Sequence, residues 1–351
     1  YTQSGLVISA FSLSYGIGQL PAGWLADRIG PRILITIGIC GVVLAGLLVG
    51  LSQTYIMMIV FLVLMGVLGG GYHPASPSLI SASVEPKNRG RALGLHVIGG
   101  SASYFLAPLI AAAIAIVWGW RGPFIALAVP TIVFGIVFYA LLGRRADTKK
   151  TEHRIIGSDN EAPPSPRRLH RLVPFIILST FNAAVILSTI AFIPLFVVDH
   201  FGVSKEVAAA LIAGFYAAGL WASPLGGYLS DRVGKVPMVL TVCFIAGPVI
   251  YLFNLVPYGL GFGAVLVLIG MISYIRKPAS EAYIVSQTSE RYRSSILGIY
   301  YFGNIEGAGI LTPVLGYLID QYGFYTSFTI ASVALVTISL ACSIFLWGNR
   351  D

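Results

Sequence analysis

Gly23-Trp24-Leu25-Ala26-Asp27-Arg28-Ile29-Gly30-Pro31-Arg32 is a charged turn wedged between two long apolar runs, and the chain contains it twice. Gly227-Tyr228-Leu229-Ser230-Asp231-Arg232-Val233-Gly234-Lys235 repeats it 204 residues later, with Gly, Leu, Asp, Arg and Gly matching at one offset. The same offset pairs Pro74-Ala75-Ser76 with Pro278-Ala279-Ser280, Arg89 with Arg293, Leu93-Gly94 with Leu297-Gly298, and Phe124 with Phe328. The chain is therefore a duplicated object, and each half is built to the same plan.

Composition says where that object lives. Of 351 residues, 56% are hydrophobic and only 10% charged, and the mean hydropathy is +0.84, far more apolar than a soluble domain requires. Crossing a bilayer takes about 20 apolar helical residues, and closed helices satisfy the backbone in lipid. Eleven such runs are expected: 5–26, 32–52, 55–84, 91–118, 121–142, 171–198, 207–229, 236–256, 258–286, 294–318 and 324–347. Subtracting 204 from the sixth run leads upstream of Tyr1, so the expectation is a twelve-helix plan whose first helix is missing from this chain. Tyr1-Thr2-Gln3-Ser4 carries no basic n-region and the first run ends in Asp27-Arg28, so it reads as a membrane helix rather than a signal peptide.

The domains follow from the repeat: an N-terminal bundle over 1–142, a cytoplasmic linker over 143–170, and a C-terminal bundle over 171–351. The linker is rich in Arg, Lys, Ser and Pro and reads as disordered. With both Asp-Arg turns placed in the cytoplasm, Arg121 and Lys205 fall outside and Arg276 and Lys277 within a span, which leaves 18 of the 22 Lys and Arg inside. That asymmetry makes the net charge of +8 a topological signal and orients the linker and C-terminus to the cytoplasm. A nucleic-acid partner is not expected, because the cations are scattered over short loops. Cys40, Cys243 and Cys342 show no metal or disulfide spacing and read as packing residues.

Charged and polar groups inside the spans are the candidates for chemistry. Ser273-Tyr274-Ile275-Arg276-Lys277-Pro278-Ala279-Ser280-Glu281 lies near the middle of its run. A charge at that depth costs about 3 kcal/mol even on the lenient insertion scale, so it faces a wet cavity or another charge. Lys277 and Glu281 are one turn apart and are placed to pair, which leaves Arg276 without a local partner. The repeat-equivalent of Arg276-Lys277-Pro278 is Tyr72-His73-Pro74. Asn182, Asn304, Glu306 and His96 are further polar groups within spans. Glu306 has two readings: a carboxyl that carries a proton, or a structural counter-charge to Arg276 or Lys277. For His73 and His96, a hydrogen bond to a neighbouring helix is the plainer reading.

At this point the residues resemble the major facilitator superfamily, over essentially the whole chain. The Gly-x-x-x-Asp-Arg-x-Gly-x-Arg pattern at Gly23 to Arg32 is similar to that family's loop 2–3 signature, and the copy at Gly227 to its loop 8–9 counterpart. Pro31 stands where the family has the first of two basic residues, leaving Arg32. Gly94, Ser103, Ala107-Pro108 and Ala111-Ala112 resemble a degenerate antiporter motif, while Met65 occupies the place of the membrane arginine found in many drug/proton antiporters. Gly71-Tyr72-His73-Pro74, with Arg89 to His96, shows a more local similarity to fosmidomycin-resistance-type exporters.

The resemblance implies an all-α membrane fold of two pseudo-symmetric six-helix bundles with a cavity between them. It places Asp27 beside Ser294-Ser295, so that Gly23, Asp27, Arg28, Gly30 and Arg32, with Gly227, Asp231, Arg232 and Gly234, would form a cytoplasmic gate. The other reading is a solvated loop that only sets topology. Substrate-binding candidates are His73, Tyr72, Asn182, Arg276, Lys277 and Glu281; proton-coupling candidates are Glu306 and Glu281. The expected activity is secondary active transport of a small organic solute by alternating access. It is expected to be proton-coupled, to lean toward export, and to favour an anionic compound because of His73, Arg276 and Lys277. The chain is expected to act as a monomer in the lipid bilayer. A transporter-like sensor without flux and an uptake symporter of organic anions are the competing readings. No enzyme, cofactor or metal is expected: there is no His-Glu-x-x-His, no Gly-x-Gly-Asp and no acidic cluster.

Overall fold

A computed structural model describes residues 2–153 and 166–346, and every regular element among them is helical. Residues 154–165 of the expected linker lie outside the described residues; the flanking helices run to His153 and start from Pro166.

Two compact units emerge. The first holds α1 (Thr2–Ile29), α2 (Pro31–Leu51), α3 (Tyr55–Gly69), α4 (Tyr72–Ser83) as far as Leu79, the part of α5 (Arg89–Trp118) after Leu106, α6 (Gly122–Ala126), α7 (Ala128–His153), and α13 (Arg293–Leu346) only as far as Phe302. The second holds the start of α5, then α8 (Pro166–Phe201), α9 (Lys205–Ala217), α10 (Gly219–Val233), α11 (Lys235–Leu252), α12 (Leu260–Gln287), and α13 from Gly303. Division by repeat and division by compactness thus differ in two matching segments, each entered by a short 3-10 turn, Pro86–Asn88 before α5 and Glu290–Tyr292 before α13.

Eight helical stretches among the described residues are long and apolar enough to cross a membrane, against eleven expected runs. Three local features account for the difference. The stretch 290–346 is 57 residues long and contains two helices merged across Gly323, whose φ of 77° breaks the helical path. The run 207–229 is divided at Ala218, which itself keeps helical φ and ψ, into α9 and α10, of 13 and 15 residues. The serines and Gln19 of α1 dilute its hydropathy.

The turns end their helices by backbone geometry. Gly30 and Gly234, repeat-equivalents, take φ of 93° and 104°, a left-handed conformation that glycine adopts without Cβ strain. Pro31 then opens α2 at the position where its missing N–H costs nothing. Thr54 and Ser204 cap α3 and α9 by accepting from Met57 N and Val207 N.

Small residues set the helix crossings. In the first unit, Gly66 of α3 and Gly70, which caps it, pack on Ser14 and Gly18 of α1, the small-xxx-small arrangement that lets backbones approach in lipid. A Cβ on Gly66 would lie 2.0 Å from Ser14 Oγ and 2.6 Å from Phe11 O. Gly66→Ala is therefore expected to force α1 from α3 and to destabilise the protein by about 1–3 kcal/mol, read as a lowered Tm in detergent. The second unit is held by a larger aromatic core in which Phe196, Phe215, Phe253, Phe262 and Phe328 are all buried.

Candidate functional site

The two Asp-Arg turns carry the same contact. In the first unit, Asp27 accepts from Ser294 N at 2.8 Å, from Ser295 N at 2.7 Å and from Ser295 Oγ at 2.6 Å. In the second, Asp231 accepts from Gly90 N at 3.0 Å and Arg91 N at 2.8 Å. Subtracting 204 from Ser294 and Ser295 gives positions 90 and 91, so the two contacts are copies. Each carboxylate sits at the start of a long helix, where free N–H groups and the helix dipole favour negative charge.

Glycine makes the approach possible. A Cβ on Gly23 would lie 2.4 Å from Ser294 O, and one on Gly227 2.1 Å from Gly90 O. The arginines point elsewhere. Arg28 stacks over Trp24 at 3.8 Å and Arg232 over Tyr228 at 4.5 Å, while Arg32 covers the Tyr139 ring at 4.1 Å and donates to Tyr139 O at 2.7 Å.

The mid-span residues fall into two groups, one in each unit. In the second unit Arg276 is only 4% exposed. It donates to Ser179 O at 2.7 Å and to Ser179 Oγ, and the Ser179 hydroxyl lies 2.8 Å from that of Ser280. Arg276 thereby ties α12 to α8 through a partner on another helix. Lys277 is half-buried, with Glu281 as an attractive charge and Arg276 as a repulsive one. His96, on α5, is within Coulombic reach of Lys277.

Asn182, one turn beyond Ser179, is fully buried, and neither end of its amide has a hydrogen-bond partner among the described residues. Glu306 is half-buried on α13; its Oε1 is shielded from solvent without a hydrogen-bond partner, and the residue forms no ion pair among the described residues. The reading of Glu306 as a structural counter-charge to Arg276 or Lys277 is therefore not met.

In the first unit His73 stands in a set of tyrosines. Its ring stacks on Tyr301 at 5.1 Å and 21°, and meets Tyr15 and Tyr72 edge-on at 6.0 and 5.8 Å. One repeat thus presents aromatic groups at the position where the other presents charge.

Ser179, Tyr15 and Tyr301 were not singled out by sequence. Ser179 lies 97 residues from Arg276, and a serine in an apolar run gives no signal of its own. The repeat offset is silent as well, since the counterpart of Ser179 falls before Tyr1. Tyr301 was hidden for a different reason: its repeat-equivalent, Val97, is apolar.

The sequence model of a family described as Major Facilitator Superfamily matches residues 1–275 and 175–351. The chain is 33% identical over 150 residues to the "Probable L-galactonate transporter" of Escherichia coli, a match covering 43% of this chain and 33% of that protein. It is 26% identical over 362 residues to the multidrug resistance protein MdtG of Citrobacter koseri, covering 99% and 84% respectively. It is 25% identical over 369 residues to the "Probable sulfoacetate transporter SauU" of Cupriavidus necator, covering 98% and 85%. Among solved structures, the human organic anion transporter MFSD10 superposes with a TM-score of 0.78 at 17% identity, over 97% of this chain and 83% of that one.

Proposed function

Because the chain belongs to the Major Facilitator Superfamily, we propose that it is a secondary active transporter that moves a small organic anion by alternating access, coupled to protons. The observation that carries the anionic assignment is the pair Arg276-Lys277 on one turn of α12, in a chain with only 10% charged residues. Keeping two cations at membrane depth costs several kcal/mol, and a substrate carboxylate or sulfonate offsets that cost. Arg276 holds the helix through Ser179, and Lys277, beside Glu281 on the same helix, is the cation assigned to the anion. Two relatives, 33% identical over part of the chain and 25% over nearly all of it, carry names of acidic compounds, galactonate and sulfoacetate.

Asn182 serves as a hydroxyl reader in this scheme. A buried amide with both ends unsatisfied costs about 1–3 kcal/mol, which solute hydroxyls relieve on binding. Glu306 is the proton carrier, because among the described residues it has no cationic partner to hold it ionised. His73, Tyr72 and Glu281 complete the binding set. Asp27 and Asp231 latch the cytoplasmic side, the linker and C-terminus face the cytoplasm, and the working unit is a monomer.

A second reading, efflux, is favoured by the 26% identity to MdtG over 99% of the chain and by the small-residue pattern of α5. One assay separates the readings. Proteoliposomes with an imposed pH gradient are given labelled galactonate or a cationic dye. Organic-anion transport predicts gradient-driven galactonate flux, lost in Lys277→Ala, whereas Glu306→Gln retains downhill flux without the pH response. Dye flux without galactonate flux supports efflux, and binding without any flux supports a sensor.

A further inference from the structure

We propose that Arg28 and Arg232 are two repeat-related sites for the headgroup phosphate of anionic membrane phospholipid, each built as a guanidinium laid on an aromatic ring. The argument begins on α1. Leu6, Leu13, Ile17 and Trp24 form one outward-facing stripe, all at least half exposed, and Arg28 continues that stripe four residues after Trp24. From Leu6 to Arg28 the helix rises about 33 Å, matching a hydrocarbon thickness of about 30 Å. The stripe therefore lies against acyl chains and delivers the Arg28 guanidinium to headgroup depth.

Helix α10 repeats the design in the second unit. Trp221, Leu225 and Tyr228 are exposed along one face, and Arg232 follows four residues after Tyr228. Trp24 and Tyr228 are 50% and 37% exposed, so each guanidinium covers a ring that itself borders lipid. Such rings prefer the membrane interface, and the stack fixes the arginine plane while leaving its N–H edge for a bidentate phosphate.

What makes these two arginines available is the fate of the acid beside each. Asp27 and Asp231 are occupied by backbone N–H groups of Ser294 and Ser295, and of Gly90 and Arg91. Among the described residues Arg28 and Arg232 form no ion pair and no hydrogen bond. Arg32 is different, because it already donates to Tyr139 O. A zwitterionic headgroup brings its own ammonium to the site, so phosphatidylglycerol, with net negative charge, is the favoured occupant.

The test uses the full chain in nanodiscs of phosphatidylcholine with and without phosphatidylglycerol, reading Tm and the phosphatidylglycerol retained per protein by native mass spectrometry. Phosphatidylglycerol is expected to raise Tm of the parent, and inorganic phosphate in phosphatidylcholine discs to leave it unchanged. Arg28→Gln and Arg232→Gln are each expected to weaken retention at their site roughly five-fold, the scale of one juxtamembrane cation, and together to abolish the Tm response. Lys87→Gln, which removes an exposed cation paired with Glu85, leaves the response intact. Arg28→Lys keeps the charge and loses the planar stack, so retention falls as well. The proposal is overturned if the double variant keeps the parent response, if Lys87→Gln loses as much as Arg28→Gln, if Arg28→Lys equals the parent, or if inorganic phosphate reproduces the Tm rise. None of these readouts requires a transported solute, so they stand apart from the transport assignment.

Discussion

Asp27→Asn lowers transport by roughly ten- to a hundred-fold while leaving membrane insertion intact, as measured by flux and by expression level in the same vesicles. The magnitude follows from three hydrogen bonds to one carboxylate, from Ser294 N, Ser295 N and Ser295 Oγ. Bonds to a charged acceptor contribute about 1.5–3 kcal/mol each. An asparagine retains one acceptor, loses the charge that the helix start stabilises, and presents an NH2 group to an N–H donor. Losing about 1.4–2.8 kcal/mol shifts the balance between latched and released states by ten- to a hundred-fold. Asp231→Asn is expected to act in the same direction with a smaller effect, since Asp231 accepts two bonds rather than three. If flux in Asp27→Asn equals that of the parent, the turn sets topology and does not gate.

The second large effect separates two adjacent cations. Lys277→Ala is expected to abolish anion flux with a smaller change in Tm than Arg276→Ala, because the lysine is assigned to the solute. Arg276→Ala is expected to lower Tm by several degrees as well, because it strips the Ser179 carbonyl and hydroxyl of their buried donor, an unsatisfied-group cost of about 1–3 kcal/mol. Measuring flux and melting on both variants decides the assignment. A Lys277→Ala protein with unchanged KM and kcat for galactonate removes the lysine from the binding site.

Much of the contact made by the two Asp-Arg turns was legible in the sequence, for a specific reason. Asp27 and Asp231 belong to a motif that recurs at a fixed offset, and the same offset aligns Arg89 with Arg293, which mark the helix starts the carboxylates reach. The mid-span site was legible only in part. Charges in an apolar run announce themselves, as Arg276, Lys277 and Glu281 do, whereas their uncharged partners do not: nothing in Ile177-Leu178-Ser179-Thr180 marks Ser179 as the acceptor. Helix breaks divided along similar lines. Gly30 and Gly234 were visible as turn residues, whereas the division at Ala218 is slight: that residue keeps helical φ and ψ of −55° and −30°, donates to Gly214 O and accepts from Ala222 N. No local pattern encodes it.

The carboxylates of the two turns take their hydrogen bonds mainly from main-chain N–H groups, and this bears on how the protein tolerates change. Positions 90 and 91 are Gly and Arg, while 294 and 295 are Ser and Ser, yet both pairs make the same two-point contact. The donor positions differ in what they demand of a side chain: a Cβ on Gly90 would lie 2.6 Å from Asp231 Oδ1, Ser294 is buried and Ser295 adds a hydroxyl bond to Asp27, whereas Arg91 is exposed. A saturation scan would find Asp27 and Asp231 intolerant of replacement, Gly90 and Ser294 restricted to small residues, and Arg91 broadly permissive. Position 91, whose side chain points to the exposed surface, is thus where the two copies are able to diverge without losing the contact.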